Sequence, residues 1–435
     1  MLIKPGPKSA RFREERENSM VDRESAVKEW RSHGTLPVAA AVGYSTAVLH
    51  TYGIGAFVAP LQQEFGWTRA QISAGITIAG LVGALLSVPI GMLVDRLGPR
   101  IVGLIGVLLM TSAFALLGTA TGSTANWLAL WGFVAFANLW LQATVWTSAV
   151  GSRFEKSRGL AFAITLSGAS LSAAVFPVLS TWLIGAYGWR TAFAAMGGIW
   201  AAVVLPVMLL FFRGAQDGPA VQSGTSKAAA NILPGASVRE GLRSPAFYKL
   251  LVASGLFTFT ALGIVVHFVP ILKDRGADPL AAAGIASLVG LFSLAGRLGT
   301  GFLLDRLPAH RVGAVVFLLP IVACALLFFD GTNPLSQSAA AAAFGLTLGA
   351  EVDVIAYLMS RHFGLKHFGV LFGAITGSLA LGSAFGPFAA GAAFDRFGSY
   401  AEFLVLTMLF MAISSLALLT VGRGRYGVPG HGDGA

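Results

Sequence analysis

Arg297, Glu351, Asp353 and His50 each interrupt a run of roughly 20 apolar residues, the length that crosses the hydrocarbon core of a bilayer. An ionisable side chain at such depth costs about 2.5–3.5 kcal/mol or more on insertion scales, so it faces a cavity or a partner. Arg297 stands eight residues before Asp305, and Asp353 eight residues before Arg361. In helices of the same direction, each charge is then roughly 12 Å in from its helix end, at matching depth. Two chemistries fit: a buried structural ion pair, or an anion site beside a proton acceptor. A guanidinium fork suits a carboxylate because it donates two parallel hydrogen bonds. Glu351 and Asp353 are two apart, about 200° round a helix, so they do not share a face. Asp353 shares its face with Tyr357, one turn on, and Glu351 shares its own with Thr347. Either carboxylate is a candidate proton-coupling group; an anion competing for Arg297 would loosen the pair and favour proton uptake.

Weaker candidates follow the same spacing. His50 has Thr46 one turn before it, and Asn138 and Gln142 are one turn apart at central depth. These residues line a cavity or hydrogen-bond to neighbouring helices. His267, beside Pro270, is placed for a gate or an interface. Trp127, Trp131 and Trp189 fall near helix ends, where an interfacial aromatic belt is expected. Gly373/Gly377 and Gly382/Gly386 give small-residue faces for close helix packing.

Of the 435 residues, 55% are hydrophobic and 11% charged, and the mean hydropathy is +0.73. Soluble domains are about 25% charged, so a soluble enzyme, a nucleic-acid module and a disordered chain are all disfavoured. The net charge of +10 comes from short basic clusters between apolar runs, a membrane pattern. The single cysteine, Cys324, excludes an internal disulfide framework and a Cys-rich metal site. No cofactor motif, Walker loop, HExxH pair or catalytic triad appears, and an enzyme is not expected.

Twelve apolar runs can be counted, near 36–61, 71–94, 101–120, 126–150, 159–185 and 190–212, then 247–272, 280–304, 311–329, 336–360, 367–393 and 400–421. With a cytoplasmic N-terminus, inside segments hold 24 Lys and Arg against 5 outside, and Arg297 lies within a span. This places both termini in the cytoplasm of a multi-pass inner (plasma) membrane protein. The expected organisation is a loosely ordered cytoplasmic leader 1–34, a six-helix bundle 35–212, a cytoplasmic linker 213–246, a second bundle 247–421 and a cytoplasmic tail 422–435. No cleavage pattern marks the first run as a signal peptide, and Met20 is an alternative start.

An offset of 210 residues aligns the two halves without a gap at many positions. Pro60 meets Pro270, Gly80 meets Gly290, Gly91 meets Gly301, and Asp95-Arg96-Leu97 meets Asp305-Arg306-Leu307; Pro177 meets Pro387 and Gly188 meets Gly398. Six spans separate equivalent points, so the repeats are parallel. The expected fold is an all-α membrane protein of twelve transmembrane helices in two six-helix repeats, with substrate near the midplane between them.

The loop Gly91-Met-Leu-Val-Asp95-Arg96-Leu-Gly98-Pro-Arg100 resembles the Gly-x3-Asp-Arg-x-Gly-x-Arg motif of the major facilitator superfamily. Gly301-Phe-Leu-Leu-Asp305-Arg306, with Arg311 beyond, is similar to its degenerate second copy. Phe65-Gly66-Trp67 and the stretch from Arg153 to Ala161 resemble the monocarboxylate porter and oxalate/formate antiporter branch. The resemblance implies a conformational latch at Gly91, Asp95, Arg96, Gly98, Arg100, Asp305, Arg306 and Arg311. It also implies that Arg297 is the anion-binding arginine of span eight; Tyr357, His50, Asn138 and Gln142, from their spacing and depth alone, are the further candidates for substrate contact. Departures matter here. Span one lacks the lysine that animal monocarboxylate porters carry, Ser293 replaces their span-eight aspartate, and span eleven has neither Lys nor Arg. A single cavity cation points to a monoanion and moves proton coupling to Asp353 or Glu351.

The function expected is secondary active transport by alternating access. A small organic monocarboxylate would cross the membrane with a proton, carried by a monomer with no nucleic-acid partner. The alternative is a proton-driven exporter of drugs or other small hydrophobic compounds. A sensor would need a soluble signalling domain that the linker and tails are too short to supply.

Overall fold

The computed structural model describes residues 25–215, 235–304, 306–364, 366–422 and 424, and at 84 and 87–95 the backbone alone. Among the described residues the regular structure is helical, apart from one antiparallel bridge between Gly235 and Gly364. Nine helical stretches are long and apolar enough to cross a bilayer. One of them, Arg158–Phe211, has 54 residues, about 80 Å of helix at 1.5 Å per residue and far more than one crossing. Gly188, at φ 75° and ψ 162°, folds it back on itself, so it forms spans five and six. Span one (35–65) and span two (Arg69–Leu97) complete twelve crossings among the described residues. Spans seven to twelve are Pro245–Lys273, Pro279–Leu304, Ala309–Asp330, Pro334–Phe363, Phe368–Phe397 and Ala401–Val421.

The repeat is legible in the backbone. Gly66 and Gly276, and Gly188 and Gly398, are pairs at the 210-residue offset, and all four hold positive φ (67°, 90°, 75° and 72°). That region is closed to most side chains. The same offset relates contacts between the lobes. A side chain at Gly80 would stand 2.7 Å from Ala384 Cβ, and one at Gly290 would stand 2.2 Å from the Ala174 backbone. Residues 80 and 384 map onto 290 and 174, so span two meets span eleven as span eight meets span five.

Spans one, four and nine are broken. Span four runs as Thr124–Leu139, turns at 140–142 and restarts as Ala143–Gly151. The Trp146 indole donates to the freed Leu141 carbonyl at 3.1 Å, the internal satisfaction that a break at membrane depth demands. Span one alternates α-helix with 3₁₀ turns at Thr46–Val48 and Ile54–Phe57. Gly55 there lies so close to the Val266 carbonyl of span seven that a Cβ would be 2.5 Å away.

Three expectations change. Trp127 and Trp131 are fully buried, and Trp189 nearly so. The Trp127 indole donates to the Ile72 carbonyl at 3.2 Å and Trp189 donates to Glu64. These indoles fill the core of the first six spans because that core has large gaps to fill: Gly75 lies directly beneath Trp131. Gly373 and Gly377 face open space, whereas Gly382 and Gly386 pack on the span-seven backbone at 255–259. Only the second pair, Gly382 and Gly386, is a packing face. Lastly, leader residues 25–33 are helical. The Glu29 carboxylate accepts from the backbone N–H groups of Glu155, Lys156 and Ser157 at 3.0–3.1 Å, and Trp30 packs on Phe154 at 5.0 Å. A carboxylate at the start of span five meets the positive end of its dipole, which gives the helix a reason to dock.

Candidate functional site

Arg297 stands on span eight, and its neighbour in space is span ten. Two glycines bring these helices together: a Cβ at Gly349 would lie 1.8 Å from the Ser293 carbonyl, and one at Gly296 would lie 2.1 Å from the Leu346 carbonyl. Backbones this close leave Arg297 and Asp353 side by side. Arg297 Nη1 is 3.6 Å from Asp353 Oδ1, with the side chains 13% and 34% exposed. That is an ion pair without a close hydrogen bond, and the Arg297 Nε–H has no partner. The guanidinium keeps an unused donor at its buried Nε, on a side chain that is otherwise 13% exposed.

Glu351 is buried on another side of span ten, with its Oε1 unpartnered. Both Arg297 and Asp353 act on it electrostatically. Thr347, on the same face, donates to the Val316 carbonyl of span nine at 2.9 Å. Tyr357 is half-buried one turn below Asp353, with the Arg361 guanidinium 5.8 Å from its ring. From the other lobe, the Tyr44 and Tyr52 phenols of span one lie within the electrostatic reach of Arg297.

The remaining candidates are elsewhere. His50 packs edge-on to Trp131 at 6.0 Å, with its Nδ1 unpartnered; Thr46 Oγ1 is likewise buried and unpartnered. Asn138 and Gln142 flank the break in span four, where their carbonyls accept from Leu141 and Val145, and the Gln142 amide comes close to Gly83. The residues near Arg297 that sequence reasoning missed are Tyr44 and Tyr52. Their spacing of eight along span one is the available signal, blurred by the intervening 3₁₀ turns.

Latch positions are partly visible. At Gly91 and Asp95 the backbone alone is described, and Asp305 lies outside the described residues. Arg96 and Arg311 are exposed. Gly98 holds φ 79° at the start of span three, Arg100 donates to the Leu209 carbonyl at 2.7 Å, and Arg306 lies 3.8 Å over the Phe302 ring.

The lobes meet along one half of their length. Above Arg297, the hydroxyls of Ser170 and Ser293 hydrogen-bond across the seam at 2.5 Å. Beyond them, Thr77 donates to the Ala384 carbonyl at 2.7 Å. At the end of the seam Arg69 of span two donates to both Asp274 oxygens, at 2.6 and 3.0 Å, and to the Tyr400 hydroxyl at 2.7 Å. It also lies 3.5 Å over the Phe394 ring. Asp395 accepts from the backbone N–H groups of Arg69 and Ala70 at 2.9 and 2.8 Å. The sequence counts Arg69 only as a loop charge; the partners that give it a role are 205 to 331 residues away.

Two parallel six-helix repeats around an inter-lobe cation define a transporter fold, and the comparisons agree. Residues 40–387 match the Major Facilitator Superfamily, and the chain belongs to that family: it is a membrane transporter of small molecules, not an enzyme. It is 26% identical over 376 residues to monocarboxylate transporter 13 of Bos taurus, covering 86% of this chain and 85% of that one. It is 27% identical over 386 residues to the gallate transporter of Pseudomonas putida, covering 78% and 82%. The crystal structure of a bacterial homologue of the human lysosomal transporter Spinster, inward-facing and unoccupied, superposes with a TM-score of 0.66. That match has 18% identity over 90% of this chain and 98% of that one, and it bears on the fold alone.

Proposed function

We propose that this carrier moves a small organic monocarboxylate across the inner (plasma) membrane together with a proton. The observation that carries this reading is the half-committed Arg297: it stands 3.6 Å from Asp353, its Nε–H unpartnered. A substrate carboxylate can take both guanidinium edges. In doing so it releases Asp353, which then accepts the proton; Glu351, with a buried free oxygen, is the second acceptor. Tyr44, Tyr52 and Tyr357 contribute phenol surface around the anion. The names of the monocarboxylate and gallate relatives support an acid as cargo.

The orientation follows from the loop charges: leader, linker and tail are cytoplasmic, the lobes are 35–212 and 247–421, and the carrier works as a monomer. The described seam then lies on the outer side, so the site opens inward. Rocking the lobes about Arg297 would open the outer side and engage the latch residues on the inner one.

The test uses purified protein in liposomes with a trapped pH dye, and a panel of aliphatic and aromatic monocarboxylates, dicarboxylates and cationic drugs. Internal acidification by a monocarboxylate, above empty liposomes and lost in Arg297→Gln, is the expected result. Acidification by none of the acids, with a cationic drug driving proton counterflow, would overturn it in favour of an exporter.

A further inference from the structure

His267 is fully buried in span seven, outside the substrate site; one of its polar partners, Ser73, comes from the opposite lobe, and another, Tyr400, is itself held by Arg69 of that lobe. Its Nδ1 is 2.7 Å from the Tyr400 hydroxyl. Its Nε2 is 3.0 Å from the Pro387 carbonyl and 3.1 Å from Ser73 Oγ of the opposite lobe. These distances fix the direction of a hydrogen-bond chain. A carbonyl only accepts, so Nε2 carries the hydrogen and donates to Pro387. Nδ1 is then the lone-pair side and accepts from the Tyr400 O–H. The Tyr400 oxygen in turn accepts from Arg69 Nη1 at 2.7 Å, and Arg69 holds Asp274 with its other hydrogens. The run from Arg69 through Tyr400 to His267 crosses from one lobe to the other, and it closes only with a neutral ring.

We propose that His267 is a proton-binding site of the outer gate, and that a proton taken up there parts the lobes. A hydrogen on Nδ1 removes the acceptor of the Tyr400 O–H. It also sets a second N–H against an oxygen that already receives one from Arg69. The added positive charge falls within the electrostatic reach of Arg69, and like charges at such a distance repel. The charged groups facing the ring are few. Arg69 comes from span two. Tyr400 and Asp395 come from the ends of spans twelve and eleven, and Asp274 adjoins through Arg69 and Tyr400. Both carboxylates are engaged: Asp274 by the Arg69 fork, and Asp395 by two backbone N–H groups. A charged ring therefore suits parted lobes and a neutral one suits closed lobes. A ligand that distinguishes two states shifts their populations. External acid would favour the outward-open state, before any substrate binds and without Asp353 or Glu351.

The experiment needs no substrate, so it stands or falls apart from the monocarboxylate reading. Val269, buried in the seam between the lobes, is replaced by cysteine in a Cys324→Ala background. The full-length protein in sealed vesicles is labelled from outside with a membrane-impermeant maleimide. Between about pH 7.5 and about pH 5.5, the window in which an imidazole changes charge, and after correction for maleimide's own pH dependence, labelling is expected to rise roughly threefold or more. His267→Gln should abolish the pH response, whether its constant level is high or low. Asp353→Asn combined with Glu351→Gln should retain it. Unchanged labelling of the parent across this range, persistence of the response in His267→Gln, or its loss in the double carboxylate variant would overturn the proposal. Monodisperse elution of each variant separates a lost response from a lost fold.

Discussion

Arg297 and Asp353 sit 3.6 Å apart at the floor of the closed seam, on helices whose backbones touch at Gly349 and Gly296. Because the distance is too long for a strong hydrogen bond, the pair holds charge balance without consuming the fork. A substrate ligand and a purely structural pair therefore respond differently to mutation. Arg297→Lys keeps the charge and loses the planar fork, and Arg297→Gln loses both. One charge-assisted bond contributes about 1.5–3 kcal/mol, so acid binding should weaken by about 10- to 100-fold in Arg297→Lys. Arg297→Gln combined with Asp353→Asn removes the pair without leaving a lone charge. If the pair were only structural, that double variant would restore the transport lost in Arg297→Gln; the expected result, read by dye acidification in liposomes, is that it does not.

Gly290 offers a test of the seam that involves no titrating group. A Cβ there would lie 2.2 Å from the Ala174 nitrogen and 2.5 Å from the Ser170 carbonyl, and neither backbone can step aside. Gly290→Val should disfavour the closed seam and shift the carrier toward the outward-open state. Spin labels on the outer ends of spans two and eleven should show a longer mean distance, with a stable fold. An unchanged distance would mean that spans five and eight part without consequence for the rest of the seam.

The helical membrane architecture is largely legible in the sequence. Twelve apolar runs and a 210-residue offset reflect length and repetition, which a chain displays without its partners. The same offset relates the 80–384 and 290–174 contacts, which only the folded structure brings together. What escaped was the geometry that depends on partners. Trp127 and Trp131 look like belt residues by position, and only the glycine-lined gap beneath them shows that they are core. His50 sits between two 3₁₀ turns, and its packing against Trp131 depends on a helix 81 residues away that its own polarity does not announce. Arg69 looks like a loop charge, because the partners that tie it across the seam, Asp274, Asp395 and Tyr400, are 205 to 331 residues away, and only Gln62, which accepts from its Nε–H at 3.1 Å, is near it in sequence.

The buried tryptophans give a stability prediction. Trp127→Phe keeps most of the apolar volume and leaves the Ile72 carbonyl without its indole donor. The loss of one such hydrogen bond costs about 1 kcal/mol, and the smaller ring adds to it. Thermal unfolding in detergent should fall by a few degrees at most, with transport retained. A residue of an interfacial belt would show no such shift, so an unchanged midpoint would contradict the core placement.

The docked leader helix responds to acid in a direction that its contacts set. Partial burial of Glu29 works against its charge, but the N–H groups of Lys156, Glu155 and Ser157 outweigh it and hold the carboxyl below the ordinary carboxylate range. A group lowered in the folded state contributes stability above its unfolded value, and that contribution fades as pH falls through the lowered one. Docking should therefore be constant through neutral and mildly acidic pH and weaken only in strong acid. Glu29→Gln removes the charge at every pH. Amide hydrogen exchange at 155–157 should be faster in that variant at neutral pH, while exchange in the span-five core stays slow. Equal exchange in the two proteins would show that Trp30 on Phe154, not the carboxylate, holds the helix in place.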